Sequence, residues 1–232
     1  MSAPRLYLGE YTATEFARAI AEGEFALGII PTGAVEDHYE HSPLDHDIRS
    51  STHVAAAIAE RIYPRAIVLP PLPAGLGEWK IDVPGTVRLQ LSTMLAYLYD
   101  LVESMTTHGM RRFLVINGHL GNHQPLADGG EQIVRRYPAT WRVSTYWNVL
   151  TDEEVAAHLS TGRMPGHATE FETSLAMAWF PELVDTDAMI NEEALAASAE
   201  TGRALGEIII ARNITTFLRN FSSLNPIPRR AA

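Results

Sequence analysis

The stretch FALGIIPTG at positions 25–33 decides the fold. Its apolar and small residues run without alternation and stop at a Pro-Thr-Gly turn. A short continuous apolar run suits a strand covered on both faces, which is the habit of parallel sheets. Three more runs follow: AIVL at 66–69, closed by Pro70 and Pro71; FLVI at 113–116, ending at Asn117 and Gly118; and RVSTYW at 142–147. Between them lie helical periods. Residues 14–22 open with a capping Thr, 51–62 carry Val54, Ala57, Ile58 and Ile62, and 92–107 carry Leu95, Leu98, Leu101, Val102 and Met105 before Gly109. Residues 131–136, 152–159, 172–180 and a long segment within 194–218 complete the set. Strand and helix alternating at this spacing predict one α/β domain over 1–232 with a largely parallel sheet. The tail after Leu224, NPIPRRAA, is expected to be unpacked.

The chain has 232 residues, with 18 Lys+Arg against 28 Asp+Glu and a formal net charge of −10. That balance argues against a nucleic-acid or anionic-membrane partner, both of which favour basic surface. There is no cysteine, which excludes a thiol nucleophile, disulfides and Cys-ligated metal. No apolar run approaches the roughly 20 residues of a membrane span. Residues 1–5 lack the apolar core of a signal peptide, so a soluble cytoplasmic protein is expected.

In open α/β sheets ligands bind beyond the carboxyl ends of the strands. The loops there hold most of the histidines. After the first strand come Glu36, Asp37, His38, Tyr39, Glu40, His41, Ser42, Asp45, His46 and Asp47. Imidazole and carboxylate together suit Zn²⁺, Mn²⁺ or Fe²⁺, although such groups also serve acid–base and hydrogen-bonding roles. After the third strand the chain reads NGHLGNH at 117–123, with glycines that permit close backbone approach. A third cluster, HATEFETS at 167–174, opens an apolar helix, where Thr and Glu also serve as caps. His53, His108 and His158 fall inside or at the ends of helices and are read as structural.

Together these three clusters resemble the signatures of the creatininase family of metal-dependent amidohydrolases. Glu36, His38, His41, Pro43 and Asp47 match the first, Asn117, Gly118, His119, Gly121 and Asn122 the second, and His167, Ala168, Glu170, Glu172, Thr173 and Ser174 the third. Pro84, Gly85 and Thr86 match a further element. The resemblance implies a three-layer α/β/α sandwich, two divalent ions per chain, a small-molecule substrate and a homohexamer. It implies metal ligands Glu36, His38, Asp47 and His119, with Asp47 bridging. A fifth carboxylate would fall at Gly121, which cannot supply one, so Glu170 is expected in its place. The chain departs from the signatures at Tyr39, Ser42, Leu120 and Thr169, and Trp79 and Lys80 stand where Glu-His is usual. Those departures imply a pocket unlike that of creatininase itself.

The chemistry that fits is amide hydrolysis. Paired metals acidify a bound water and polarise a carbonyl, and the resulting hydroxide attacks. His167 is then the general acid for the departing nitrogen. Asn122 is expected to orient His119 or bind substrate, and Glu172 to orient a histidine from behind rather than touch metal. Trp147 ends the fourth strand as a pocket wall or as plain core. The substrate implied by resemblance is a small cyclic amide or an N-formyl compound. Lactone hydrolysis, isomerisation and a non-catalytic sensing or assembly role are the alternatives.

Overall fold

The computed structural model describes residues 3–77 and 81–221, with side chains to residue 216. Trp79, Lys80 and the tail after Leu224 lie outside the described residues. The strands are β1 (Leu27–Thr32), β2 (Ala66–Val68), β3 (Arg112–Asn117) and β4 (Thr140–Thr145). The helices are α1 (Ala13–Glu22), α2 (His46–Arg61), α3 (Leu91–Thr107), α4 (His123–Arg136), α5 (Asp152–His158), α6 (Glu170–Trp179) and α7 (Ala199–Phe221). The strands form one sheet in the order β2-β1-β3-β4, and every pairing is parallel. Among the described residues no helix is long and apolar enough to cross a membrane.

The absence of alternation in the strands has a direct cause. Leu27 and Ile29 of β1, with Leu114 and Ile116 of β3, enter a core built with Val54 and Ile58 of α2, Phe171 and Leu175 of α6, and Leu205 and Ile209 of α7. Ile30, Phe113 and Val115 enter a second core, with Met94 and Leu98 of α3 and Leu126 and Ile133 of α4. Successive side chains point to opposite faces, so a strand with a core on each face is apolar throughout. This is the three-layer α/β/α arrangement that the family resemblance implies, around the parallel sheet that the apolar runs predict. Burying each such Leu, Ile or Phe stabilises the fold by roughly 1.5–3 kcal/mol.

Several element boundaries differ from the sequence reading. Helix α2 begins at His46 rather than 51, which puts Asp47 in its first turn. Helix α4 begins at His123 rather than 131. Strand β4 ends at Thr145, and Tyr146 and Trp147 lie in the turn beyond it.

The topology also fixes where the loops meet. The chain leaves β1 through α2 on one face and leaves β3 through α4 on the other, yet β1 and β3 are neighbours. Such a reversal opens a crevice between the two carboxyl ends. Across it Thr32, Asn117 and Thr145 sit in register. The Thr32 hydroxyl donates to Asn117 Oδ1 at 3.2 Å, and Asn117 Nδ2 donates to Thr145 Oγ1 at 2.9 Å and to the His119 carbonyl at 2.6 Å. The first turn of α2 drops into the crevice between Gly33 and Gly118. A Cβ on Gly33 would lie 2.5 Å from the Asp47 carbonyl carbon, and one on Gly118 would lie 2.3 Å from the Asp47 carbonyl oxygen. Both contacts are with backbone, which cannot swing aside. Gly118→Ala should therefore destabilise the protein by about 1–3 kcal/mol, as overpacking of a dense interior does. Urea denaturation checks this, and a change below about 0.5 kcal/mol would show that Asp47 is not wedged as described.

Candidate metal centre

Asp47 is 2% exposed and its two oxygens face different imidazoles. Oδ1 lies 3.1 Å from His38 Nε2, and Oδ2 lies 3.1 Å from His119 Nδ1. Glu36 Oε1 lies 3.2 Å from the same His119 nitrogen. Potential ligand atoms of Glu36, Asp47 and His119 fall within 4.8 Å of one another, as do those of His38, His46 and Asp47 and those of Glu36, His38 and His167. The structure thus brings together Glu36, His38, Asp47, His119 and His167 from loops that are far apart in sequence.

Backbone carbonyls orient the rings. His38 Nδ1–H donates to the Glu36 carbonyl at 3.1 Å, which leaves Nε2 towards Asp47. His119 Nε2–H donates to the Leu76 carbonyl at 2.9 Å, which leaves Nδ1 towards Asp47 and Glu36. His167 Nε2–H donates to the Asp37 carbonyl at 2.6 Å, and its Nδ1 lies 3.9 Å from Glu36 Oε1. A carbonyl on one ring nitrogen fixes the tautomer and aims the other lone pair, as it does behind metal-binding histidines. Asn122 acts one step further back. Its Oδ1 accepts from the Leu76 N–H at 3.0 Å and its Nδ2 donates to the Gly33 carbonyl at 3.0 Å, so it holds the segment whose carbonyl orients His119.

The two glutamates of the third cluster sit contrary to the sequence expectation. Glu170 is not brought to the cluster. Its carboxylate accepts from the Ser160 and Thr161 N–H groups at 2.9 and 2.7 Å and from the Ser160 hydroxyl at 3.0 Å. Burial alone would raise its pKa, but these bonds outweigh burial and lower it. Glu172 instead lines the cavity beside Glu36, Asp47 and His119. Residues two apart on a helix point about 200° apart, so only one of this pair can face the cluster. The helix phase was the signal that could have chosen between them. It needed the start of α6, which the sequence reading placed at 172 rather than 170.

The cavity is about 310 Å³ and is walled by Tyr39, Leu120, Trp147, Pro165 and Gly166 above the polar floor. Trp147 is both wall and core, packed edge-on against Tyr146 and Phe171. Tyr39 and Leu120 line the cavity while remaining partly exposed. The other histidines have structural partners. His46 lies between the Ser42 and Ser50 hydroxyls and stacks on His38, and burial lowers its pKa to about 3. His41 bonds to Thr173, His53 stacks on Trp179, His108 caps α3 beside Phe16, and His158 bonds to the Glu154 carbonyl.

The donor set fits a cation. Glu36, Asp47 and Glu172 are all buried, and among the described residues no Lys or Arg lines the cavity. Protons take up the charge instead. Burial opposes a charge on His38, but Asp47 overcomes it and pushes the pKa up to about 9. His119 likewise rises to about 10 against burial, through Asp47 and Glu36. Burial raises Glu172 to about 8; His38 counters this, while Asp47 and Glu36 add to it. Divalent cations would replace these protons.

The chain matches the family model described as Creatininase: Creatinine amidohydrolase over residues 9–220, and it belongs to that family. It is 31% identical over 201 residues to creatinine amidohydrolase of Pseudomonas putida, covering 80% of this chain and 76% of that one. It is 29% identical to a mycofactocin precursor peptide peptidase of Mycobacterium ulcerans, covering 68% of this chain and 60% of the relative. It is 26% identical to the 3-dehydro-scyllo-inosose hydrolase of Thermotoga maritima, covering 72% and 54%. Solved structures of creatininase in a manganese form and in a zinc–zinc mutant form superpose with a TM-score of 0.86 at 26% identity, covering 94% of this chain and 99% of theirs.

The raised pKa values set a direction for stability. Folded His38 and His119 keep protons that the unfolded chain releases near pH 6.5, and Glu172 keeps one released near pH 4.5. Each contribution is lost as pH rises through the folded value. Protein stripped of divalent ions should therefore show a Tm that falls from about pH 6.5 to about pH 9.5. Added Zn²⁺ should raise Tm more at about pH 8.5 than at about pH 6.5, with protons released on binding. A flat or rising Tm of the stripped protein across that interval would contradict the assignment.

Proposed function

We propose that this creatininase-family hydrolase is a single-domain, metal-dependent amidohydrolase cleaving a C–N bond of a small cyclic amide or N-formyl compound. The observation that carries the reading is Asp47, whose two oxygens face two separate imidazoles across a cavity floor rich in carboxylate. One position for a divalent ion is then framed by Glu36, Asp47 and His119, and a second lies at His38 and Asp47, with Glu172 lining the same cavity. Zn, Mn and Fe all suit such nitrogen and oxygen donors. Divalent ions held there supply Lewis acidity to a substrate carbonyl and to a water.

The chain's own residues do the rest. Tyr39, Leu120, Trp147 and Pro165 wall a cavity of about 310 Å³, a size that suits a small molecule. His167 is anchored through Nε2–H, so Nδ1 is the atom that carries a proton on the cluster side. An amide nitrogen leaves poorly as an anion, and His167 Nδ1 delivers the proton it needs. Asn122 and the Leu76 carbonyl keep His119 in register while this happens. By family resemblance the chain works as a cytoplasmic homohexamer, and a native mass measurement tests the assembly.

The relative from Thermotoga maritima is an inosose hydrolase and the one from Mycobacterium ulcerans a peptide peptidase, so the assay spans more than amides. Protein loaded with Zn²⁺ or Mn²⁺ is tested against cyclic amides, N-formyl heterocycles, short peptides and lactones. Turnover of amides supports the reading. Turnover of lactones alone would replace it, and metal-loaded protein inert to all four classes would sink it. Within the active class, His167→Ala should cut turnover by roughly 10²–10⁴ while metal content stays near that of the unaltered protein. The loss should shrink for an activated ester, whose leaving group needs no proton. An emptied metal position in His167→Ala would make His167 a ligand instead.

A further inference from the structure

We propose that Glu170 is a positioning residue that fixes the 160–167 segment, and His167 with it, and that it takes no metal ion. The inference rests on the reading that His167 works at the cluster, and the experiment separates the two.

Glu170 is the first residue of α6 and is 2% exposed. Both of its oxygens are engaged. Oε1 accepts from the Ser160 N–H and hydroxyl, and Oε2 accepts from the Thr161 N–H. The acceptors belong to the start of α6 and the donors to the turn just after α5. The carboxylate therefore closes the intervening excursion into a ring. Gly162 and Gly166 within that excursion adopt φ +63 and +72. Its other fastenings include the His167 Nε2–H, which donates to the Asp37 carbonyl at 2.6 Å. The Gly162 N–H donates to the Leu159 carbonyl at 3.2 Å, Arg163 pairs with Glu193 at 2.8 Å, and Thr169 Oγ1 lies 3.4 Å from the Pro165 carbonyl.

The excursion carries the cavity wall at Pro165 and Gly166, then His167. Its far end, at His167, lies three residues before α6 begins. Its near end is held to α6 by Glu170. The strut thus ties the wall and the proton-carrying ring to the same helix that presents Glu172 to the cavity. A carboxylate that left Ser160 and Thr161 for a metal would forfeit three charge-assisted bonds. The roughly 200° between Glu170 and Glu172 around the helix also aims it elsewhere.

Full-length protein loaded with Zn²⁺ is compared with its Glu170→Gln variant. The Gln keeps the shape but turns an NH₂ group towards a donor. Zinc content should equal that of the unaltered protein. The amides of 160–162 should exchange with solvent about 10-fold faster or more, as expected for a locally loosened segment. The imidazole N–H signal of His167, assigned by its loss in His167→Ala, should broaden, while that of His119 stays sharp. Loss of zinc with unchanged exchange would make Glu170 a ligand, and no change in either readout would remove its role. Should Glu170→Gln fail to fold, Ser160→Ala deletes one donor and should raise the same exchange about 3-fold, the scale of one hydrogen bond. An unmoved exchange rate in Ser160→Ala would then overturn the proposal. If the unaltered protein binds no zinc, the metal reading fails, while exchange and the His167 signal still decide the strut.

Discussion

Everything at the crevice depends on one buried carboxylate, Asp47, being held between two strand ends. Its backbone fills the space left by Gly33 and Gly118, so neither strand end can shift without moving it. Its side chain then lies where the loops after β1 and β3 converge, and each oxygen finds a different histidine. The row Thr32, Asn117 and Thr145 supplies the rigidity. Asn117 spends its side chain on neighbouring strands and on the backbone of His119, which turns a strand terminus into a fixed mount for an imidazole.

That arrangement carries an electrostatic burden. Among the described residues no Lys or Arg lines the cavity, and three buried carboxylates in such a low-dielectric site cannot all stay ionised on their own. The chain answers with two histidines pushed well above their usual range and one glutamate held towards its protonated form. A core designed for stability alone would use apolar side chains here. Charges arranged to share protons, or to trade them for cations, are a device for chemistry. The carbonyl of Leu76 and the clamp of Asn122 show the same priority, because they orient a ring rather than add to the core.

Much of this was legible in the sequence, and the failures have physical causes. The unbroken apolar run of β1 announced a two-faced strand, and the cores on either side of Leu27, Ile29 and Ile30 explain why. The loops after β1 and β3 stood out because strand ends in a parallel sheet converge, and the family resemblance picked Glu36, His38, Asp47, His119 and His167 out of the histidine-rich clusters. Helix α4 was read eight residues late because Gly129 and Gly130 lower helix propensity. Their purpose is packing: a Cβ on Gly129 would lie 2.4 Å from Leu95 Cδ2, and one on Gly130 would meet the Trp141 indole. The sequence expectation of Glu170 at the cluster differs from the placement seen, in which Glu172 lines the cavity, for a related reason. Composition puts two carboxylates in one turn, but only the start of the helix decides which faces inwards. A start two residues earlier rotates the assignment by more than half a turn.

The same coupling of backbone and chemistry appears where the chain is strained. Among the described residues the non-glycine positions with positive φ are Tyr39 at 57° and Ala168 at 47°. A left-handed conformation costs an L-residue roughly 1–2 kcal/mol. Tyr39 stands where the family signature has Gly, so the backbone requirement survives while the side chain does not. Its ring lines the cavity and lies 6.0 Å from that of His167. Ala168 donates its N–H to Glu172 Oε2 at 2.6 Å, a contact its turned backbone makes possible. Both strained residues adjoin groups of the cluster, and neither lies in the sheet or its covering helices. Strain concentrated there is offset by the cores on the two faces of the sheet. The rigid strands and helices thus supply the free energy that lets a small set of loops hold conformations they would not adopt alone.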